Sequence, residues 1–284
     1  MLIIAVDIGG TAVKSASVTV TDRGFTLSDS GYIPTGRIKK GEDVQRAVTQ
    51  AVMRLSPENA DGIAVGVAGK VDWKNGIVTE SSALPCFRGM NMKLFMEQSF
   101  GLPATVINDA EAALLGECAF GAAKGFRRPL MLTLGTGLGS AMTDDYVHPS
   151  QDSFRFGDLG HVVLYENGRK CKCGQRGCIE QYVSATAIKQ NAGAKNIHEV
   201  LKIDSESNIK AKERFIFDFA AAVEKIKKIT DFDVLIAGGG VIELKDYWWD
   251  DFVKSLGDTV AVPAKLGNRA ALYGAAFAHI NGRF

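Results

Sequence analysis

The feature that most restricts how this chain can fold is a glycine turn with a strand on each side of it. Leu2 to Val6 is a continuous apolar run ending at Asp7, and Ile8-Gly9-Gly10-Thr11 follows. Beyond the glycines, Ala16, Val18 and Val20 alternate with Ser15, Ser17, Thr19 and Thr21, a period of two and therefore a strand. Dinucleotide-binding folds and P-loops need a helix directly after their glycines. Here the turn joins two strands, and Phe25 to Ile33 supplies a third.

Downstream, Asp43–Leu55 has helical spacing, Gly62–Val67 is an apolar strand ending at Ala68-Gly69, and Lys93–Phe100 reads as helix. Ala104–Ile107 is a strand and Ala110–Phe120 an alanine-rich helix. Leu130 to Leu134 then opens a second unit of the same kind, with Gly135-Thr136-Gly137-Leu138-Gly139 as its turn and Ser140-Ala141-Met142 after it. Overlaying Leu2–Val6 on Leu130–Leu134, and Asp7–Thr11 on Gly135–Gly139, gives a weak internal repeat; two unrelated hairpins are the alternative. Helices are expected over Ala185–Gln190, Ile197–Lys202 and Lys210–Ile229. A strand over Val234–Ala237 enters Gly238-Gly239-Gly240, with a helix expected after it, and a last helix runs from Arg269.

The 284 residues suffice for one large domain or two lobes. With 33 basic and 32 acidic side chains, net charge +1, the chain lacks the basic footprint of a nucleic-acid or anionic-membrane binder. No apolar stretch nears the ~20 residues of a membrane span, and the N-terminus reads as a strand rather than a signal peptide. A cytoplasmic location is the expectation.

Each candidate for chemistry has a plain structural counterpart. Gly9 and Gly10 let backbone N–H groups approach an anion, Thr11 adds a hydroxyl, and Asp7 is placed to hold Mg²⁺ beside phosphates. A bare Gly-Gly turn is otherwise only a hairpin. Lys14 reaches a phosphate or is simply exposed. Gly135, Thr136 and Gly137 have the same chemistry as the first turn, while Gly239 and Gly240 admit an adenosine ring or phosphate, or merely make a tight turn. Asn108-Asp109 ends a strand and begins a helix, which a helix cap would explain. Phosphoryl transfer also needs a carboxylate to take the acceptor's proton, and Asp109 is the best placed, with Asn108 beside it. Glu111 reads as solvated helix surface. Cys171, Cys173 and Cys178, with His161 ten residues before Cys171, match a closed tetrahedral structural zinc, and Gly174 and Gly177 supply its turns; a redox-labile cluster is the alternative. Cys86 and Cys118 read as plain thiols.

Taken in order, Asp7-Ile8-Gly9-Gly10-Thr11, Asn108-Asp109-Ala110, Leu134 to Gly139, Gly157-Asp158-Leu159-Gly160-His161, Cys171 to Glu180 and Gly238-Gly239-Gly240 resemble the ROK family (repressors, open reading frames and sugar kinases) over almost the whole chain. The resemblance implies an α/β, actin-like (ribonuclease H-like) fold of two lobes with a zinc knuckle. The smaller lobe is expected over 1–109, with helix 270–284 packing back on it, and the larger over 110–269. The resemblance further implies ATP with Mg²⁺ bound between the lobes, structural Zn²⁺, and phosphorylation of a hexose 6-hydroxyl with Asp109 as base. It implies sugar contacts from Gly69, Lys70, Ser82, Asn108, Asp158, His161 and Glu180, the His161 ring bridging zinc and sugar. A homodimer is the expected assembly.

Two departures bear on the sugar. The family usually has Glu where this chain has Asp158, one methylene shorter. Glucokinase-like members usually carry Asn-Leu-Pro where Ala83-Leu84-Pro85 stands here, and N-acetylmannosamine kinases vary there too. Glucose and N-acetylmannosamine therefore head the expected acceptors. The segment between Gly139 and Gly157 is short and polar for the family, an abbreviated flap. Sugar-sensing regulators of the same family are the alternative reading. They carry a helix-turn-helix ahead of the first glycine motif, for which this sequence is expected to have no room.

Overall fold

Neighbouring residues of a strand point to opposite faces, yet Ile3, Ile4, Ala5 and Val6 are all fully buried, so the first strand is covered on both sides. The structure, a computed structural model, describes residues 1–22, 24–34, 40–81, 84–155 and 157–282. Its strand β1 (Leu2–Ile8) pairs antiparallel with β2 (Ala12–Thr21), which pairs with β3 (Gly24–Pro34). Helix α1 (Gly41–Met53) packs on these strands through Val44, Ala47, Val48, Ala51 and Val52. Ser15 and Ser17, which alternation would send to solvent, are buried, and Ser15 Oγ donates to the Ala51 carbonyl at 3.3 Å.

Strand β4 (Gly62–Val67) pairs parallel with β1. The sequence reading missed a small antiparallel sheet that follows, made of β5 (Lys70–Asp72), β6 (Ile77–Glu80) and β7 (Met90–Asn91). Its strands are too short to show a period. Helix α2 (Met92–Phe100) and β8 (Ala104–Asn108) come next, β8 pairing parallel with β4, and α3 (Asp109–Phe120) starts where β8 ends. The first sheet is thus ordered β3-β2-β1-β4-β8.

The second sheet repeats that order. Strands β9 (Pro129–Leu134) and β10 (Leu138–Thr143) form an antiparallel hairpin, with β11 (Phe154–Arg155) on its outer edge. After the cysteine cluster, α4 (Ala185–Ala192), α5 (Ile197–Lys202) and α6 (Glu206–Lys227) form a helical layer. Strand β12 (Val234–Gly238) then pairs parallel with β9, a 3-10 run Gly240–Tyr247 and α7 (Trp249–Lys254) follow, and β13 (Ala261–Pro263) completes the order β11-β10-β9-β12-β13. The core on this sheet centres on Phe215, Phe219, Trp248 and Phe252, with the Phe219 and Phe252 rings stacked at 4.1 Å.

Helix α8 (Ala270–Asn281) ends the described chain and packs on β1, β4 and α3. A Cβ at Gly274 would overlap the Ala112 carbonyl, and one at Gly116 the Ala270 carbonyl. Glycine at both places lets the two backbones touch. The chain divides into two units, 1–124 with 145–154 and 269–284, and 125–144 with 155–268. The expected boundary at 109/110 is therefore corrected to 124/125. The reason is that α3, buried from Ala110 to Cys118, packs on α8 and β4 of the first sheet. No helix among the described residues is long and apolar enough to cross a membrane.

Candidate active site

Parallel registry brings the first unit's candidates to one edge. Ile8 lies opposite Val67 and Val67 opposite Asn108. The residues leaving β1, β4 and β8 (Gly9-Gly10, Ala68-Gly69 and Asp109) therefore emerge together at the carboxyl ends of these strands, the usual place for ligands on such sheets. Asn108 caps α3: its Oδ1 accepts from the N–H groups of Ala110 at 2.9 Å and Glu111 at 3.0 Å. Its Nδ2 donates to the Gly69 carbonyl at 2.7 Å. One side chain thus ties the β4 exit to the start of α3 and fixes Asp109 between them.

Asp109 is half-buried, and its Oδ1 accepts from the Ala110 N–H at 2.9 Å. Burial, reinforced by the charge of Asp7 and opposed by that N–H, pushes its carboxyl up to about 6. Asp7, 7% exposed, sits opposite Lys14 in the hairpin and takes an ion pair from Lys14 Nζ at 3.2 Å. Burial raises the Asp7 carboxyl as well, against the pull of Lys14. Lys14 is thus a partner of Asp7 here. Gly9 N–H closes the turn onto the Ala12 carbonyl at 2.9 Å, with Gly10 and Thr11 exposed at its tip. Lys70 pairs with Glu80 at 3.5 Å on the surface. Ser82 and Ala83 lie outside the described residues.

Glu111 corrects the expectation of a solvated carboxylate. It is half-buried and accepts from Trp73 Nε1 at 3.0 Å. Burial, opposed by that bond and by the backbone and reinforced by Asp109, takes its carboxyl up to about 7. Trp73 was not singled out in the sequence, where a Trp between Asp72 and Lys74 carries no pattern.

In the second unit, β9 and β12 bring the Gly135 turn and Gly239-Gly240 to the same edge by the same parallel registry. The turn is pinned to the start of α4, because the Gly135 carbonyl accepts from Ala185 N at 2.8 Å and the Thr136 carbonyl from Thr186 Oγ1 at 2.7 Å. Glu180 Oε2 accepts from the Leu138 N–H at 3.1 Å, and a Cβ at Gly137 would overlap that carboxylate. The glycine at 137 therefore makes room for Glu180. Asp158 is exposed, and its backbone carbonyl accepts from His161 N at 2.9 Å. Gly240 opens a 3-10 run rather than an α-helix.

His161, Cys171, Cys173 and Cys178 converge, their ligand atoms all within 4.8 Å of one another. His161 Nδ1 stands 3.6 Å from Cys171 Sγ, and Cys173 Sγ 3.6 Å from Cys178 Sγ. Tetrahedral zinc with bonds near 2.3 Å sets its sulfurs about 3.8 Å apart, so the set fits zinc. Gln181 Nε2 lies 3.6 Å from Cys171 Sγ, a donor of the kind that steadies a thiolate ligand. The cluster thereby grips both ends of the 3-10 turn Ile179–Gln181, and Glu180 is carried between them.

The two repeated sheets, each with a glycine hairpin at its carboxyl edge, define an α/β protein of the actin-like fold. The chain belongs to the ROK family, whose profile matches residues 3–280. It is 29% identical to the glucokinase of Thermotoga maritima over 264 residues, 84% of this chain and 82% of that one. It superposes on a ROK family glucokinase of Streptomyces griseus, solved with glucose and AMPPNP, with a TM-score of 0.82 and 27% identity, covering 97% and 98% of the two chains. It is also 27% identical to the xylose repressor of Bacillus spizizenii over 199 residues, 67% of this chain and 51% of the repressor.

Proposed function

We propose that this sugar kinase transfers the γ-phosphoryl group of ATP to the 6-hydroxyl of a hexose or N-acetylhexosamine, with glucose and N-acetylmannosamine as leading acceptors. The observation that carries the reading is Asp109. It is a half-buried carboxyl whose affinity for protons is raised to about 6, fixed by its neighbour's helix cap at the edge where the strands release their loops. Such a group is mostly ionised at neutral pH yet basic enough to accept a proton, the compromise general-base catalysis favours. The relatives supply the reaction class.

Asp109 takes the acceptor hydroxyl's proton as its oxygen attacks the γ-phosphorus, and the bond to the departing ADP breaks with its electron pair. Asn108 holds the base in place and, with Gly69, offers polar contacts to the sugar. Glu180, His161 and Asp158 are the candidate sugar contacts on the second unit. Gly9, Gly10 and Thr11 in one turn and Gly135, Thr136 and Gly137 in the other present backbone to phosphate, and Gly239 and Gly240 to the nucleoside. Asp7 is the hard, buried oxygen donor suited to Mg²⁺, which when bound neutralises charge on the phosphates. Zinc, when bound to the knuckle, fixes the loop that carries Glu180. The protein works in the cytoplasm as a homodimer on this reading.

ADP release should be measured with glucose, N-acetylmannosamine, N-acetylglucosamine, mannose, fructose and allose. Turnover on at least one is expected, and Asp109→Asn should lower kcat at least ~10²-fold. Likeness to the xylose repressor favours a second reading, a sugar sensor. Tight sugar binding with no ADP formed from any of these acceptors would select it.

A further inference from the structure

Trp73 and Glu111 have no part in the chemistry above, yet together they join the start of α3 to a distant piece of chain. Trp73 is 2% exposed. Its indole N–H donates to Glu111 Oε2 at 3.0 Å, and its backbone N–H donates to Gln151 Oε1 at 3.0 Å. Its ring meets Phe154 at a centroid distance of 5.4 Å. Gln151 and Phe154 belong to 145–154, the piece of chain after β10 that clusters with the first unit. Glu111 stands two residues beyond Asp109, and its N–H shares the Asn108 cap. A carboxyl half-withdrawn from water and acted on by the charge of Asp109 is unfavourable in itself. The indole donor offsets part of that cost.

We propose that Glu111 is a positioning residue, linked through Trp73 to residues 145–154, so that the seating of this segment and the placement of Asp109 form one coupled arrangement. The proposal rests on the reading of Asp109 as the base. Asp109 is the ionisable group acting on Glu111, Asp7 and Lys14 act in turn on Asp109, and Trp73, Gln151 and Phe154 are uncharged. An ionised Glu111 accepts a stronger, charge-assisted bond from the indole than a neutral one. The link therefore tightens as pH rises through about 7, where burial has brought this carboxyl.

The test uses the full chain in four variants, Glu111→Gln, Trp73→Phe, Gln151→Ala and the double Glu111→Gln/Gln151→Ala. Glucose phosphorylation and intrinsic tryptophan fluorescence are followed across the neutral range. Glu111 and Gln151 are joined only through Trp73 on this proposal. Each single change should lower kcat by about tenfold with a smaller change in KM, the scale of a modest misplacement. The double variant should be no worse than Glu111→Gln alone, because coupled sites are not additive. A fluorescence step near pH 7 should vanish in Glu111→Gln. Effects that multiply in the double variant, a step that persists without Glu111, or losses confined to Tm would each overturn the proposal. Should Trp73→Phe fail to fold, Gln151→Ala, at an exposed position, carries the test with Glu111→Gln. Full turnover in Asp109→Asn sinks the base reading by itself, whereas multiplying effects alongside an inactive Asp109→Asn sink only the coupling.

Discussion

The two sheets share one strand order and treat buried charge in opposite ways. Where β1 runs into its glycine turn it carries Asp7, a buried carboxylate with Lys14 as its ion-pair partner; the overlaid position in the second hairpin is Gly135, with no charge at all. The second unit does bury a carboxylate, Asp218 in α6, 0% exposed. It accepts from Tyr165 Oη at 2.6 Å and Arg214 Nε at 2.8 Å. A buried ion well supplied with donors holds structure together. Asp7, Asp109 and Glu111 are each raised above the ordinary range, the pattern expected where the proposed base works. The repeat supplied one scaffold twice, with an aspartate entering the first glycine turn and a glycine at the matching place in the second.

The largest effect should come from exchanging those roles. Asp7→Asn should lower kcat by about 10²–10³, the scale of losing a charge-stabilising group, without loss of Tm, since an awkward buried charge is gone. Gly135→Ala should fold normally, because a Cβ there meets nothing within 4 Å, and should act on KM for ATP instead. Equal losses of kcat in both would erase the distinction between the turns. Next, Cys178→Ser should empty the knuckle of zinc and lower Tm by roughly 10 °C, as a defect of several kcal/mol does in a chain this size. Metal analysis alongside calorimetry checks it. Zinc retained at one per chain would break the assignment. Smaller again, Tyr165→Phe strips one of the two donors from Asp218 and should cost about 1–3 kcal/mol in stability. Its kcat should not move. A rate loss there would place Asp218 among the working acids and undo the contrast.

What could be read in the sequence was whatever leaves a local period or a fixed spacing. The hairpins, the repeat and the cysteine cluster all do, and so does the Asn108-Asp109 junction, because strand end and helix start meet at one residue. Glu111 does not. Its place on α3 is ordinary for a solvated acid, and only the fold brings Trp73 over it from 38 residues away. Ser15 and Ser17 make a related point: alternation records which side chains are polar, and α1 covers that face all the same. The lobe boundary slipped because the sequence shows where α3 starts but not that α8, more than a hundred residues later, packs against it. Glu180 enters as a candidate sugar contact by resemblance alone. Its bond to Leu138 N–H depends on Gly137 lying against it, a contact between segments that no spacing announces.

The smallest expected effect concerns pH, and it separates the two kinds of buried acid without any substrate. The Asp109 carboxyl ionises near 6 in the folded chain against 3.8 when unperturbed. Between these values the folded state keeps a proton that the unfolded state has lost, so Asp109 favours folding most at low pH. That contribution declines as pH rises from about 4 to about 6 and stays lost above it. Asn at this position has nothing to ionise. Asp109→Asn should therefore melt at the wild-type temperature near pH 4 and above it at pH 8, by a few degrees at most because the carboxyl keeps some contact with water. Relief of Glu111, which feels the Asp109 charge, works in the same direction. Parallel melting curves at pH 4 and pH 8 that show no such divergence would mean Asp109 is comfortable as an anion, and it would then lose what sets it apart as a base.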